Sequence, residues 1–149
     1  MIQVRDAVPE DARAIADLLG ELGYPASAPE IPARLGVVTA VPGRVLVAED
    51  AGAVIGVASV TRLTLLHRAA PLALLSALVV QARRRGEGVG RALVAVAERQ
   101  AAAWGCETLE LTSRDDRHRT HRFYAGLGFE SGSRKFVRPV ASPGAAETA

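Results

Sequence analysis

The segment Leu78-Val79-Val80-Gln81-Ala82-Arg83-Arg84-Arg85-Gly86-Glu87-Gly88-Val89-Gly90-Arg91-Ala92-Leu93 constrains this chain more than any other. An apolar run without alternation reads as a strand covered on both faces. It feeds a basic turn with glycine at alternate positions, and a stretch rich in Ala, Leu, Val, Glu and Arg follows with Val89, Leu93 and Val96 on one helical face. Glycines so close to a helix start cost helix stability: either they only cap and bend the connection beside a solvated arginine face, or a ligand is bound there, and a ligand explains the expense. The start of a helix offers unpaired N–H groups and the positive end of the dipole, and glycines let a bulky anion reach the main chain. A pyrophosphate suits such a turn. Arg83, Arg84 and Arg85 add charged donors at its rim, although three adjacent arginines cannot all face one ligand.

Other glycine motifs fail on the letters. A dinucleotide fingerprint needs a glycine where this chain has Arg91 or Leu93, and a P-loop needs a Gly-Lys-Ser/Thr ending that the turn lacks. With 18 Lys+Arg against 16 Asp+Glu the formal charge is +2, which argues against nucleic-acid binding by bulk electrostatics. The lone Cys106 excludes an internal disulfide framework and reads as an inert thiol. No His, Cys or Asp cluster has metal-ligand spacing, and no Ser-His-Asp order is recognisable. The longest apolar run, Ala69 to Val80, is too short to span a bilayer, and the opening Met1-Ile2-Gln3-Val4 is followed directly by charged residues, which does not read as a signal peptide. The expectation is a soluble cytoplasmic protein with neither a membrane nor a nucleic-acid partner.

The rest of the chain supplies a frame. Ile2 and Val4 alternate with polar neighbours as a first strand, and Ile15, Leu18, Leu19 and Leu22 recur at helical spacing, with Glu10 and Asp11 in the first turn and Gly23 as the stop. Tyr24 to Pro32 predicts a turn into a short helix ending near Leu35 and Gly36. Val45 to Ala48 and Val54 to Val57 flank a hairpin turn at Glu49-Asp50-Ala51-Gly52, the second strand running on towards Leu66. Leu74 to Val80 is a central strand, Gly88 to Trp104 a helix, Leu109 and Leu111 a strand, Arg117 to Gly126 a helix, and Phe129 to Val140 one or two closing strands. The order describes an α/β or α+β domain on one mixed sheet, over residues 1–140, with residues 141–149 as a frayed tail.

Arg85-Gly86-Glu87-Gly88-Val89-Gly90 resembles the R-x-x-G-x-G signature of the GNAT family of N-acetyltransferases, preceded as in that family by an apolar strand, here ending in Leu78-Val79-Val80. By element order the resemblance reaches from Ile2 to Arg138. It implies the acyl-CoA N-acyltransferase fold, a mixed, twisted, mostly antiparallel sheet flanked by helices, with acetyl-CoA as cosubstrate. Main-chain groups of Leu78, Val79 and Val80 would then bond the pantetheine arm as an added strand does, in a cleft between the strand ending at Val80 and the one ending near Thr112. Arg85, Gly86, Glu87, Gly88, Val89 and Gly90, with Arg91, would cradle the pyrophosphate. Relatives often dimerise, and the long third strand and a closing strand at Phe136 to Val140 offer edges for a homodimer.

His121-Arg122-Phe123-Tyr124-Ala125-Gly126-Leu127-Gly128-Phe129 resembles the family's F-Y-x-x-x-G-F segment, whose tyrosine points at the cofactor sulfur. Direct attack of an amine, through a tetrahedral intermediate, expels a thiolate that needs a proton, and a phenol with a pKa of about 10 can supply it. Tyr124 is either that general acid or a half-buried packing residue. Where relatives commonly carry an asparagine, seven residues before the tyrosine, this chain has Arg117. Arg117 or Arg119 contacts the cofactor phosphates, or the run is a solvated helix start capped by Asp115 or Asp116. Ser76 stands where many relatives have a glutamate that steers the base water. Among Glu49, His67, His118 and His121 as proton acceptors, His67 is favoured because it can reach the acceptor side of a cleft. The acceptor is expected to be a small-molecule amine; a protein amine, or a catalytically silent CoA-binding module, are the other readings.

Overall fold

In a computed structural model, which describes residues 1–113 and 118–142, the chain divides into two compact units, Met1–Leu111 and Thr112–Ala149. The first unit carries five strands and three helices: β1 (Gln3–Asp6), α1 (Ala12–Leu22), α2 (Ile31–Ala40), β2 (Gly43–Asp50), β3 (Ala53–Leu63), β4 (Leu72–Val80), α3 (Val89–Ala103) and β5 (Leu109–Glu110). The strands lie in sequence order; all neighbours are antiparallel except β4 and β5, which run parallel. A parallel return needs a crossover, and α3 provides it.

Alternation along the strands sorts the two faces. Val45, Val47, Val57 and Val79 turn towards Ile15, Leu18 and Ile31 of α1 and α2, all of them buried. Each such side chain contributes about 1.5–3 kcal/mol by leaving water. The other face is covered by α3, where Val89 and Leu93 pack so closely on Gly56 that an added Cβ would come within 3.0 and 3.1 Å of them. α1 stops at Gly23, whose φ of 101° lets the Tyr24 N–H turn back to the Leu19 carbonyl at 2.9 Å. At the β2–β3 hairpin both Ala51 (φ 51°) and Gly52 (φ 82°) adopt the left-handed conformation that tight hairpins require.

Several boundaries differ from the sequence reading; β4, for one, begins at Leu72 and not at Leu74. α2 continues to Ala40 rather than ending near Gly36, because Leu35 and Val38 both pack against the core cluster and carry the helix across the glycine. β3 stops at Leu63, three residues short of Leu66, which is fully exposed. β5 has only two residues, pairing Ala73 with Leu109 and Leu74 with Glu110.

In the second unit the described regular element is α4 (His118–Gly126). The closing strands expected over Phe129 to Val140 are not formed: residues 129–142 have no regular secondary structure, and Phe136, Val137 and Val140 are exposed. Apolar alternation makes a strand only where a ladder partner takes up its N–H and C=O groups, and this stretch has none among the described residues. Arg117, the caps Asp115 and Asp116, and residues 143–149 of the expected tail lie outside the described residues.

Candidate functional site

The site of the first unit begins at the edge of β4. Its inner edge pairs with β3 along its whole length, whereas β5 covers the outer edge only at Ala73 and Leu74. From Leu75 to Val80 the outer edge therefore has no strand partner among the described residues, and alternate N–H and C=O groups stand available to an extended ligand. Ser76 marks a bulge. Ser59 faces Ala77 and Val60 faces Leu75, leaving Ser76 as the extra residue, exposed, with its Oγ donating to the Ser59 carbonyl at 3.3 Å.

After Val80 the chain is pinned by the Gln81 N–H to the Ile55 carbonyl at 2.8 Å and makes a short 3-10 turn over Ala82–Arg84. Gly86 (φ 83°) and Gly88 (φ 85°) then take left-handed conformations that residues with a Cβ resist, and nothing crowds either position; backbone conformation, not space, requires glycine there. Gly88 is the N-cap of α3. It has no side chain to cap with, the first turn holds no acidic residue, and the ladder opens with the Ala92 N–H on the Gly88 carbonyl at 3.0 Å. The N–H groups of Val89, Gly90 and Arg91 are thus without an intrahelical acceptor, at the positive end of a fifteen-residue helix.

The arginines divide as three adjacent side chains must. Arg84 is taken up within the protein, by Asp50 Oδ2 at 2.6 Å and Glu87 Oε2 at 2.9 Å. Its guanidinium is held further above its ordinary value by Glu87 and Asp50, and Asp50 is held low by Arg84. Arg83 donates to Gln81 Oε1 at 3.2 Å. Arg85 and Arg91 are exposed and have no ion-pair partner among the described residues, leaving them open to an anion. Glu87 contributes its main chain, its carboxylate being engaged by Arg84.

The proton-transfer candidates fall elsewhere. Glu49 is bound by Arg5 Nε at 2.7 Å, so its carboxylate is already engaged within the protein. His67 is exposed in the β3–β4 connection, at the opposite end of the nine-residue β4 from the glycine turn, about 30 Å away along the strand. Cys106 is half-buried, and burial pushes its thiol above the usual value. Among the described residues no group of His, Cys, Asp and Glu has a metal-binding arrangement.

In the second unit the aromatic segment closes α4. Gly128 (φ 91°) is left-handed, and the Phe129 N–H turns back to the Tyr124 carbonyl at 3.0 Å, while the Tyr124 and Phe129 rings meet edge to face at 5.6 Å. That is a helix stop with its customary apolar contact, so the Y-x-x-x-G-F spacing fixes the ring of Tyr124 as well as ending the helix. The Phe123 and Tyr124 rings also meet edge to face, at 5.3 Å, and Tyr124 is half-buried. His118 and His121 meet edge to face at 6.1 Å.

Sequence reasoning missed two partners. Asp50, read only as a turn residue, holds Arg84, and Asp11, read as a first-turn carboxylate, is buried and bound by Arg5 at 2.8 and 3.0 Å. No local pattern could have marked either pair.

Comparison with known proteins bears on the family and the fold. The sequence model of the acetyltransferase (GNAT) family matches residues 13–129. Over 89 residues the chain is 33% identical to the aminoalkylphosphonate N-acetyltransferase of Salmonella typhimurium, which covers 60% of this chain and 58% of that relative. The chain thus spans under two thirds of the length of the curated relative it matches. The solved structure of a Trypanosoma brucei acetyltransferase superposes with a TM-score of 0.80 at 23% identity, over 94% of this chain and 100% of that one. Glucosamine-6-phosphate N-acetyltransferase from Arabidopsis thaliana does so with a TM-score of 0.80 at 19% identity, over 95% and 99%. At such identities the likeness is one of fold.

Proposed function

The chain belongs to the acetyltransferase (GNAT) family, and from that premise we propose that it transfers an acetyl group from acetyl-coenzyme A to a small primary amine. One observation carries the reading: a strand edge from Leu75 to Val80, without a strand partner among the described residues, runs into a helix start whose N–H groups are uncapped and flanked by Arg85 and Arg91. The family's cosubstrate has the matching parts, an amide-bearing arm and a diphosphate. The main chain of Leu78, Val79 and Val80 binds the arm as an added strand. The main chain from Arg85 through Gly86, Glu87, Gly88, Val89 and Gly90, with the side chains of Arg85 and Arg91, holds the diphosphate.

An arm laid from the turn along β4 runs towards Ser76 and the end of the strand where His67 sits. The amine nitrogen attacks the thioester carbonyl carbon, a C–N bond forms, and the C–S bond breaks with its electron pair left on sulfur. The Tyr124 hydroxyl protonates the thiolate, and the proton lost by the amine goes to the His67 imidazole, directly or through water. The assignment of Tyr124 rests on the F-Y-x-x-x-G-F resemblance and on the firm seating of its ring by Phe123 and Phe129. The relative from Salmonella makes aminoalkylphosphonates the first acceptors to try. No described helix is long and apolar enough to cross a membrane, and we place the enzyme in the cytoplasm as a homodimer, the exposed Phe136, Val137 and Val140 supplying apolar surface for the contact.

The test is acetyl transfer to a panel of aminoalkylphosphonates and other small primary amines. Tyr124→Phe should lower kcat about a hundredfold while leaving coenzyme A affinity intact. Unchanged turnover removes Tyr124 from the chemistry; no transfer by a wild-type protein that binds coenzyme A makes the chain a binding module.

A further inference from the structure

The turn that follows β4 is braced from outside itself. Arg84 and Glu87 flank the left-handed step at Gly86, and the Arg84 Nε to Glu87 Oε2 pair at 2.9 Å ties the two sides of that step together. The same guanidinium reaches 34 residues back to Asp50 Oδ2 at 2.6 Å, so the brace is fastened to the β2–β3 hairpin. Asp50 is itself set by the hairpin's left-handed Ala51 and Gly52, and its Oδ1 accepts from the α-amino group of Met1 at 2.9 Å. A second tether, the Gln81 N–H on the Ile55 carbonyl, starts the turn from the beginning of β3. Both side chains of the Arg84–Asp50 pair are less than one quarter exposed, in contrast to the open Arg34–Glu30 pair on α2.

We propose that Asp50 is a positioning residue for diphosphate binding: through Arg84 it holds the turn in the conformation that aims the N–H groups of residues 85–91 at the ligand. This rests on the coenzyme A reading above. Preorganised donors bind more tightly than donors that must first be ordered, because the ordering entropy is spent in the fold and not on binding. An aspartate beside an anion site lowers the local positive potential, so by charge alone its neutralisation strengthens coenzyme A binding. A positioning role has the opposite sign.

Calorimetric titration of the full chain with coenzyme A separates the two, using wild type, Asp50→Asn, Arg84→Gln, the double variant, and Arg34→Ala as a control. Asp50→Asn and Arg84→Gln should each weaken binding about fivefold, and the double variant should be no weaker than either single one. The loss should persist in about 0.5 M salt, where longer-range charge effects are screened. Melting temperatures without ligand should stay with that of Arg34→Ala, which a merely structural pair would not allow. Binding by Asp50→Asn as tight as wild type or tighter, additive losses, or losses that track the ligand-free melting temperature would each overturn the proposal. A wild type that binds no coenzyme A defeats instead the reading on which it rests.

Discussion

Asp11 is the buried charged residue of the described core, and its surroundings explain why it can stay ionised. Arg5 donates two hydrogen bonds to its carboxylate and the Val8 N–H a third at 2.8 Å; the Arg5 bonds chiefly, and that N–H also, hold the carboxyl below its ordinary value against the opposing effect of burial. A carboxyl whose folded pKa is depressed contributes stability that is complete above its unfolded value of about 3.9 and is lost as pH falls through the lower folded value. Asp11→Asn should therefore destabilise the protein by about 1–3 kcal/mol near neutrality, with the gap to wild type closing below about pH 4. Urea unfolding at several pH values measures this, and equal stability at neutral pH would contradict it. At this scale the glycine turn was legible, since the left-handed conformations of Gly86 and Gly88 suit the residue that stands there. The ion pairs were not. The pairs Arg5–Glu49 and Arg84–Asp50 join positions 44 and 34 residues apart, and periodicity says nothing about such distances.

Among the elements, those whose faces are decided by a strong apolar period were readable: α1 by Ile15, Leu18 and its Gly23 stop, and α3 by Val89 and Leu93. Errors gathered where tertiary contacts decide. α2 outlived Gly36 because the core takes up Val38, and the stretch from Phe129 to Val140 has strand-forming residues but no ladder among the described residues. The end of α4 offers a test of local conformation. Gly128 is left-handed and Gly132 is not, and neither is crowded. Gly128→Ala should cost about 1 kcal/mol and Gly132→Ala close to nothing, by urea denaturation. Equal effects would mean that the helix stop does not depend on the left-handed residue.

For the whole chain, the family match from residue 13 to 129 runs across the division at Leu111, and we take residues 1–140 to work as one acetyltransferase domain. The sheet order and the single parallel pairing are what a strand, hairpin, central strand and crossover helix in this sequence imply. The proposed homodimer is checked by light scattering, with an expected mass of twice 15.6 kDa at micromolar concentration. A clean monomer would leave Phe136, Val137 and Val140 without the proposed use. Everything functional depends on the uncapped N–H groups after β4 binding a diphosphate. The direct measurement is calorimetric titration of the folded protein with coenzyme A: saturable binding of one ligand per chain, weakened about tenfold by Arg85→Ala, is the predicted result. Absence of saturable binding to the wild type would contradict the account.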